Sequence, residues 1–292
     1  MSIPTVSTII VSWNTKELLR TCINRLQNQV GVNLTICVVD NNSADGTQEM
    51  LREEFPHIKK IYNTKNKGFA AANNQFFSLT TTDFTVLVNA DTEVTGVDTL
   101  KQIGDAHHRT NAGIIGPRLL NPDGTIQHSV RAFPRVWSQI CFLLKLHLLF
   151  PKFPSVVAYT LPDFVYEKEQ QVDQVSGAFF SVSQKCKEAV GNLDEHFWIW
   201  FEEVDYCKRA TNKGFTVWYS PMASIIHHGA QSFSQLLPLN RQRLFNKSLR
   251  MYAKKHFSFL GWVLISLTSF IGVMLAWITP TNIKPSSYRK KI

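Results

Sequence analysis

The feature that most constrains this chain is an alternation across residues 5–91: a β-branched run, a polar cluster, then apolar residues at helical spacing, repeated. Residues 5–11 read as a first strand. Asn14-Thr15-Lys16-Glu17 follows as a helix cap with a Glu three residues on, leading into Leu18, Cys22, Ile23 and Leu26 on one helical face. Residues 34–39 form a second strand ending in Asp40, with 47–55 helical. Residues 58–62 form a third strand, 68–79 a helix, and 84–88 a fourth strand that closes on Asn89-Ala90-Asp91. Such alternation predicts an α/β fold, a Rossmann-like, mostly parallel sheet flanked by helices, with ligands outside the carboxyl ends of the strands. The polar clusters at 12–14, 40–45, 63–68 and 89–91 all fall at those ends.

Beyond residue 120 the pattern is less regular. Residues 175–182 and 215–219 read as further strands, and 131–159 is apolar, aromatic and basic, suited either to a buried helix or to one facing a membrane or an acceptor. The start of the chain lacks the basic region and cleavage site of a leader, so a strand is expected there. Five widely spaced cysteines without a C-x-x-C pair indicate neither a disulfide framework nor a zinc site, and fit a reducing cytosolic setting.

The charge is unevenly placed. The 292 residues carry 31 Lys and Arg against 22 Asp and Glu, a formal +9, which alone admits nucleic acid, an anionic membrane or a phosphorylated substrate as partner. Ten of the basic residues lie from Arg241 onward with no acid among them, leaving 21 against 22 before that point. The body of the protein is therefore near neutral, and nothing in it resembles a nucleic-acid recognition element. Arg243, Lys247, Arg250 and Lys254 share one helical face, while Phe245, Leu249 and Tyr252 share another. This basic amphipathic helix runs into residues 257–283, which hold no charge and reach the roughly 20 residues a bilayer crossing needs. A membrane-associated tail is expected, whether spanning, in-plane or re-entrant, on an anionic surface. The boundaries read as 1–235 for a catalytic domain, split near 120 into donor and acceptor halves, and 236–292 for the tail.

Asp40 at a strand end invites comparison with dinucleotide folds, where an acid there binds a ribose. The first strand-to-helix turn, Val11-Ser12-Trp13-Asn14-Thr15-Lys16, has no G-x-G-x-x-G, which argues against a nicotinamide or flavin enzyme and leaves a mononucleotide site. Asn89-Ala90-Asp91 offers oxygen ligands for a hard divalent cation able to bridge a diphosphate.

The ordered segments VSWN, VVDNNSADGT, NKGFAAANN, LVNAD, VSGAFF, LDEHFWIWFEEVDYCKRATNKGF and SIIHHGAQS together resemble the family 2 inverting glycosyltransferases of GT-A fold. The similarity is greatest to the bacterial branch that includes rhamnosyltransferases of surface-polysaccharide assembly, and it covers residues 6–232. It implies that Trp13 flanks the nucleotide base, that Asp40 and Asn41 contact base or ribose, and that Asn66, Gly68 and Asn73 line the donor pocket. It further implies that Asn89 and Asp91 occupy the family's D-x-D position, with Asn replacing the first Asp and lowering the negative charge, and that His227 or its neighbour His228 completes a Mg2+ or Mn2+ site. In Phe201-Glu202-Glu203-Val204-Asp205 the family's base falls on Glu203, where relatives carry Asp. Arg209, one turn on, is placed to pair with Asp205.

The partners implied are a nucleotide-diphosphate sugar donor, with dTDP-rhamnose the donor of that branch, and a lipid-linked, polyprenyl diphosphate saccharide acceptor, at the cytoplasmic face of a bacterial inner membrane. The departures at Asn89 and Glu203 leave a second expectation, a catalytically silent nucleotide-sugar-binding scaffold of a polysaccharide-assembly complex.

Overall fold

The computed structural model describes residues 3–229 and 238–278. The expected alternation forms as β1 (Thr5–Ser12), α1 (Lys16–Gln27), β2 (Asn33–Asp40), α2 (Thr47–Glu53), β3 (Lys59–Tyr62), α3 (Phe69–Phe77) and β4 (Phe84–Asn89). There follow β5 (Thr92–Val94), α4 (Thr99–Thr110), β6 (Ile114–Leu120), β7 (Ile126–Gln127) and β8 (Val130–Arg131). Three short helices come next, α5 (Val136–Leu143), α6 (Leu146–Leu149) and α7 (Pro154–Thr160). The catalytic half closes with β9 (Gln170–Val172), β10 (Gln174–Val175), β11 (Phe179–Ser183), α8 (Gln184–Val190), α9 (Glu202–Asn212) and β12 (Val217–His227). Two long helices end the described chain, α10 (Pro238–His256) and α11 (Phe259–Ile278).

The central sheet runs β3-β2-β1-β4-β11-β6-β12-β5, with β7 against β6 and β9 against β12. β3, β2, β1 and β4 are mutually parallel, β11 is antiparallel to both its neighbours, and β12 is again parallel to β6. The parallel strands read as continuous apolar runs because helices cover both faces. Alternate residues of one strand serve opposite cores: Ile10, Val86 and Val88 pack with Leu19, Ile23 and Ile103, while Ile9 and Leu87 pack with Phe77, Phe180 and Tyr206.

Two local expectations change. The run at 175–182 is not one strand: β10 pairs with β8 in a separate two-stranded sheet, β11 joins the main sheet, and Ser176-Gly177-Ala178 turns between them. Asn14 does not cap α1; it adopts a left-handed φ of 52° and its Oδ1 accepts the Ala44 N–H at 2.8 Å, tying the first strand-end loop to the second.

The amphipathic reading of residues 241–254 holds. Leu249 and Tyr252 are fully buried in a third core formed with Phe197, Phe201 and Val204 beside the start of α9, and with Ile140 and Leu143 of α5. Among the described residues no helix is long and apolar enough to cross a membrane. α11 packs along α10 and α5, and two glycines allow the approach. A Cβ at Gly261 would lie 2.8 Å from Val136, and one at Gly272 would lie 2.9 Å from the Leu143 carbonyl oxygen.

Candidate active site

Parallel pairing puts the strand ends level. Ser12 stands opposite Asp40, Val11 opposite Asn89, and Asp40 opposite Tyr62. The loops that leave these ends are held by side-chain amides. Asn41, buried at the end of β2, donates through Nδ2 to Asn66 Oδ1 (2.9 Å) and the Gly68 carbonyl (3.2 Å), and its Oδ1 accepts from Asn63 Nδ2 (3.1 Å) and the Lys67 N–H (3.0 Å). Its amide is thus committed to shaping the 63–68 loop. Asp40 differs: Oδ2 accepts from Gln48 Nε2 (2.7 Å) and the Ser43 N–H (3.2 Å), but Oδ1 is buried without a protein partner. A buried acceptor left without a donor costs about 1–3 kcal/mol, so Oδ1 is chemically suited to a ligand N–H or O–H. Asn73 is fully buried, with Nδ2 donating to the Phe69 carbonyl (2.9 Å) and Oδ1 left unpartnered. Trp13 stands half-buried one residue beyond β1.

Gly68 carries the tightest constraint in this region. Its φ is +83°, and a Cβ there would lie 2.4 Å from the Trp198 carbonyl oxygen. The Phe69 N–H donates to that same carbonyl at 2.7 Å. The Phe197–Phe201 stretch, which leads into α9, is thereby fastened to the loop of the donor half; Trp198 was not identified from the sequence, where it reads as one aromatic residue among several.

On the other side of the strand ends, register assembles a second group. β5 follows directly on Asp91 and pairs antiparallel with the end of β12, so that His227 stands opposite Thr92 and Ile226 opposite Glu93. His227 Nε2 comes within 3.4 Å of Asp91 Oδ1. His227 Nδ1 is 2.7 Å from Gln127 Oε1, and Gln127 Nε2 donates to Asn121 Oδ1 (3.0 Å) and the His227 carbonyl (3.3 Å). Oε1 is therefore the acceptor, which puts an imidazole proton on Nδ1 and turns Nε2 toward Asp91. A histidine oriented by such a hydrogen bond is the usual form of a metal ligand. His228 turns away, its Nε2 2.7 Å from Glu93 Oε1. Among the described residues no group of three or more His, Cys, Asp or Glu side chains is gathered for a metal. Asp91 and His227 fit a hard divalent cation as two protein ligands, with coordination left for ligand oxygens.

Glu203 lies in the first turn of α9. Two consecutive left-handed residues, Trp200 (φ 61°) and Phe201 (φ 71°), set the entry to that helix. Such geometry in aromatic residues persists only where surroundings enforce it, and here Phe201 packs on Phe245 and Tyr252 of α10 at ring distances of 5.4 and 5.5 Å. Glu203 Oε2 is buried and unpartnered. Its methylenes and carboxyl carbon lie 3.5–3.6 Å from where a Cβ on Gly177 would be, and the adjoining Ala178 carbonyl accepts the Asn89 N–H at 2.9 Å. The Ser176-Gly177-Ala178 turn thus joins Asn89 to Glu203.

Electrostatics separate the two glutamates. Burial, then the adjacent Glu203 charge, pushes the Glu202 carboxyl well above the carboxylate range. Burial also raises Glu203, against the backbone N–H groups at the helix start and the Arg131 guanidinium, which favour its charged form. Both carboxyls are thus raised by burial, and Glu203 is the member whose charged form the surrounding N–H groups and Arg131 favour.

Asp205 is fully buried and pairs with Arg209 as its spacing predicts (2.7 Å), and also with His256 (2.7 Å) and Lys255 (2.8 Å) of α10. Burial opposes its charge, but these three partners outweigh it and hold the carboxyl below its usual value.

A mostly parallel α/β sheet whose strand-end loops hold buried, unpartnered oxygens of Asp40 and Asn73, with an Asp-His pair and a buried carboxylate, is the arrangement of a group-transfer enzyme. The family model for glycosyl transferase family 2 matches residues 7–161, and the chain belongs to that family. Over 211 residues it is 26% identical to an N-acetylglucosaminyl-diphospho-decaprenol L-rhamnosyltransferase of Mycobacterium tuberculosis, covering 68% of each chain. It is 23% identical over 238 residues to a low-salt glycan biosynthesis hexosyltransferase of Haloferax volcanii, covering 76% of this chain and 67% of that one. Among solved structures it is similar to a mannosyltransferase of Pyrobaculum calidifontis in complex with GDP-Man and Mn2+. That match has a TM-score of 0.59 and 14% identity, over 99% of this chain and 79% of that one. A second likeness is to GalNAc-T7 with UDP, GalNAc and Mn2+, with a TM-score of 0.58 and 15% identity over 77% of this chain and 44% of that one. The fold is that of these GT-A enzymes, and the chain is a glycosyltransferase of glycan biosynthesis.

Proposed function

We propose that this enzyme moves a sugar, with inversion, from a nucleoside-diphosphate donor to a saccharide carried on a polyprenyl diphosphate, with rhamnose from dTDP-rhamnose as the transferred group. The observation that carries the reading is the Gly177–Ala178 turn, which touches Asn89 on one side and Glu203 on the other and so sets a base candidate beside a diphosphate-binding turn. The rhamnosyl and lipid-diphosphate parts take their support from the name of the mycobacterial relative.

In an inverting transfer the acceptor hydroxyl attacks the anomeric carbon on the face opposite the leaving nucleotide, through an oxocarbenium-like state. Asp40 Oδ1 accepts from the nucleoside, and Asn41 with Asn66 holds the 63–68 loop, which carries Gly68 along the donor and leads into α3 with Asn73. Asn89, Asp91 and His227 hold the diphosphate end. A divalent cation, Mg2+ or Mn2+, when bound by Asp91 and His227 neutralises charge developing on the departing diphosphate, a contribution of several kcal/mol. Glu203 removes the acceptor proton, its charged form favoured by the backbone N–H groups at the helix start and by Arg131. One carboxylate suffices because no covalent enzyme intermediate forms.

The same proposal places the enzyme at the cytoplasmic face of a bacterial inner membrane, attached through its tail, where the lipid-linked acceptor is held. The test is incubation of the purified chain with Mg2+ or Mn2+, a panel of nucleotide sugars and a polyprenyl-diphosphate N-acetylglucosamine acceptor, with NMR of the product. Transfer from dTDP-rhamnose with inverted anomeric configuration is expected. A retained configuration, or donor binding without turnover on any acceptor, contradicts the reading.

A further inference from the structure

α11 is apolar on every side, yet only one side is packed. Gly261, Ile265, Ser269 and Gly272 are buried against α5 and α10, while Leu260 (66% exposed), Leu267 (60%), Phe270 (67%) and Met274 (67%) stand out at steps of seven, three and four on the opposite face. A contiguous apolar face of this kind on a water-soluble surface marks an interaction site. α5 runs beside α11 from Val136 at Gly261 to Leu143 at Gly272, and within a few residues of that second contact the chain exposes Leu148, Leu149 and Phe150.

Cations border this face. Arg243, Lys247, Arg250 and Lys254 lie along the side of α10 turned away from the buried Leu249 and Tyr252, and none is paired with an acid among the described residues. Two grooves run between the helices, one of about 370 Å3 between Arg243 and Met274, the other of about 410 Å3 between Lys254 and Trp262. Both are bounded by Arg250 and Phe270, whose guanidinium and ring lie 5.9 Å apart. Each groove thus offers a cationic wall and an apolar wall side by side, the chemistry of a phospholipid at the boundary between headgroup and acyl chain.

We propose that the α10–α11 hairpin lies in the plane of an anionic lipid leaflet, with Leu260, Leu267, Phe270 and Met274 inserted among the acyl chains and Arg243, Lys247, Arg250 and Lys254 on the lipid phosphates. This rests on the membrane reading above and gives it a surface and an orientation. The packing of α11 along α5 and α10 selects an in-plane seat from the three arrangements the sequence allows. It also couples attachment to the site, because the buried face of α10 holds Phe201 and Asp205 at the start of α9.

The test is flotation of the full chain with vesicles of phosphatidylcholine alone and with phosphatidylglycerol added. Expected is a preference for the anionic vesicles of roughly a hundredfold or more, lost in high salt and in a Lys247→Gln/Arg250→Gln/Lys254→Gln variant, since each surface cation contributes about a factor of five. Leu267→Glu/Phe270→Glu is expected to weaken binding to both vesicle types by roughly tenfold or more, with an unchanged melting temperature because both positions are exposed. Binding unaffected by that variant, binding lost only on removing residues 279–292, or a dimer that the variant splits to monomers overturns the proposal. Vesicle binding is read without sugar transfer. Loss of binding with transfer to a water-soluble acceptor intact removes this inference alone, and binding without transfer removes the catalytic reading alone.

Discussion

The two ends of the active site are built differently. The donor end is made by neighbours in sequence: Asp40, Asn41, Asn63, Asn66 and Gly68 lie on two adjacent strand-end loops joined by direct amide hydrogen bonds. The base end is assembled from distant parts. Glu203 lies against Gly177 in the turn between β10 and β11, senses Arg131 from β8, and sits on a helix whose first turn is clamped by Lys255 and His256 from the tail. A local cradle forms wherever its sheet forms. An assembled carboxylate depends on elements from about 25 to 70 residues away, the tail helices among them.

That contrast makes Asp205 the most sensitive position outside the reacting groups. Asp205→Asn strips one fully buried carboxylate from Arg209, Lys255 and the His256 ring, at a cost on the order of 2–4 kcal/mol, and calorimetry at neutral pH should show it. Because the folded carboxyl titrates below its ordinary value, this stability is present above that value and is lost as pH falls through the folded one. The gap between wild type and variant should therefore close on acidification; a gap constant with pH contradicts the ion cluster.

Gly68→Ala tests the join between the two ends. The left-handed backbone alone costs about 1–3 kcal/mol, and the methyl must displace the Trp198 carbonyl. Weaker nucleotide binding together with a lower kcat is expected; a variant with only one of these altered would separate the two ends. Gln127→Ala leaves Asp91 and His227 in place and removes only the group orienting the imidazole. The Mn2+ concentration for half-maximal activity should rise roughly 10- to 100-fold, and an unchanged requirement would show that His227 does not bind the metal. The smallest effect is expected for Glu202→Gln. A carboxyl raised by burial binds a proton more tightly folded than unfolded, so wild-type stability falls as pH rises above the ordinary glutamate value. The amide variant is expected to gain on wild type by about 1 kcal/mol or more through that window and to match it in acid.

How much of this the sequence foretells follows the same division. Strand ends and their polar loops are local and periodic, so Asp40, Asn66, Gly68 and Asn89 are legible as a cluster before any coordinates. The pairing of Asp91 with His227 is legible only through family resemblance, because it requires β5 to turn back on β12. Gln127, Trp198 and Gly177 carry no local signal for their roles; each acts through a contact made across the sheet. The tail helix reads correctly as amphipathic, but periodicity does not tell that its apolar face covers the entry to α9 rather than lipid. Asn14 shows the reverse error, a capping pattern overridden by a tertiary hydrogen bond to Ala44.

Glu203 is the group proposed to take the acceptor proton. Single-turnover transfer by Glu203→Gln, compared with wild type at saturating donor and metal, tests it most directly. A loss of roughly 10²- to 10⁴-fold in the transfer step with nucleotide affinity unchanged is the predicted result, and transfer at the wild-type rate would contradict it.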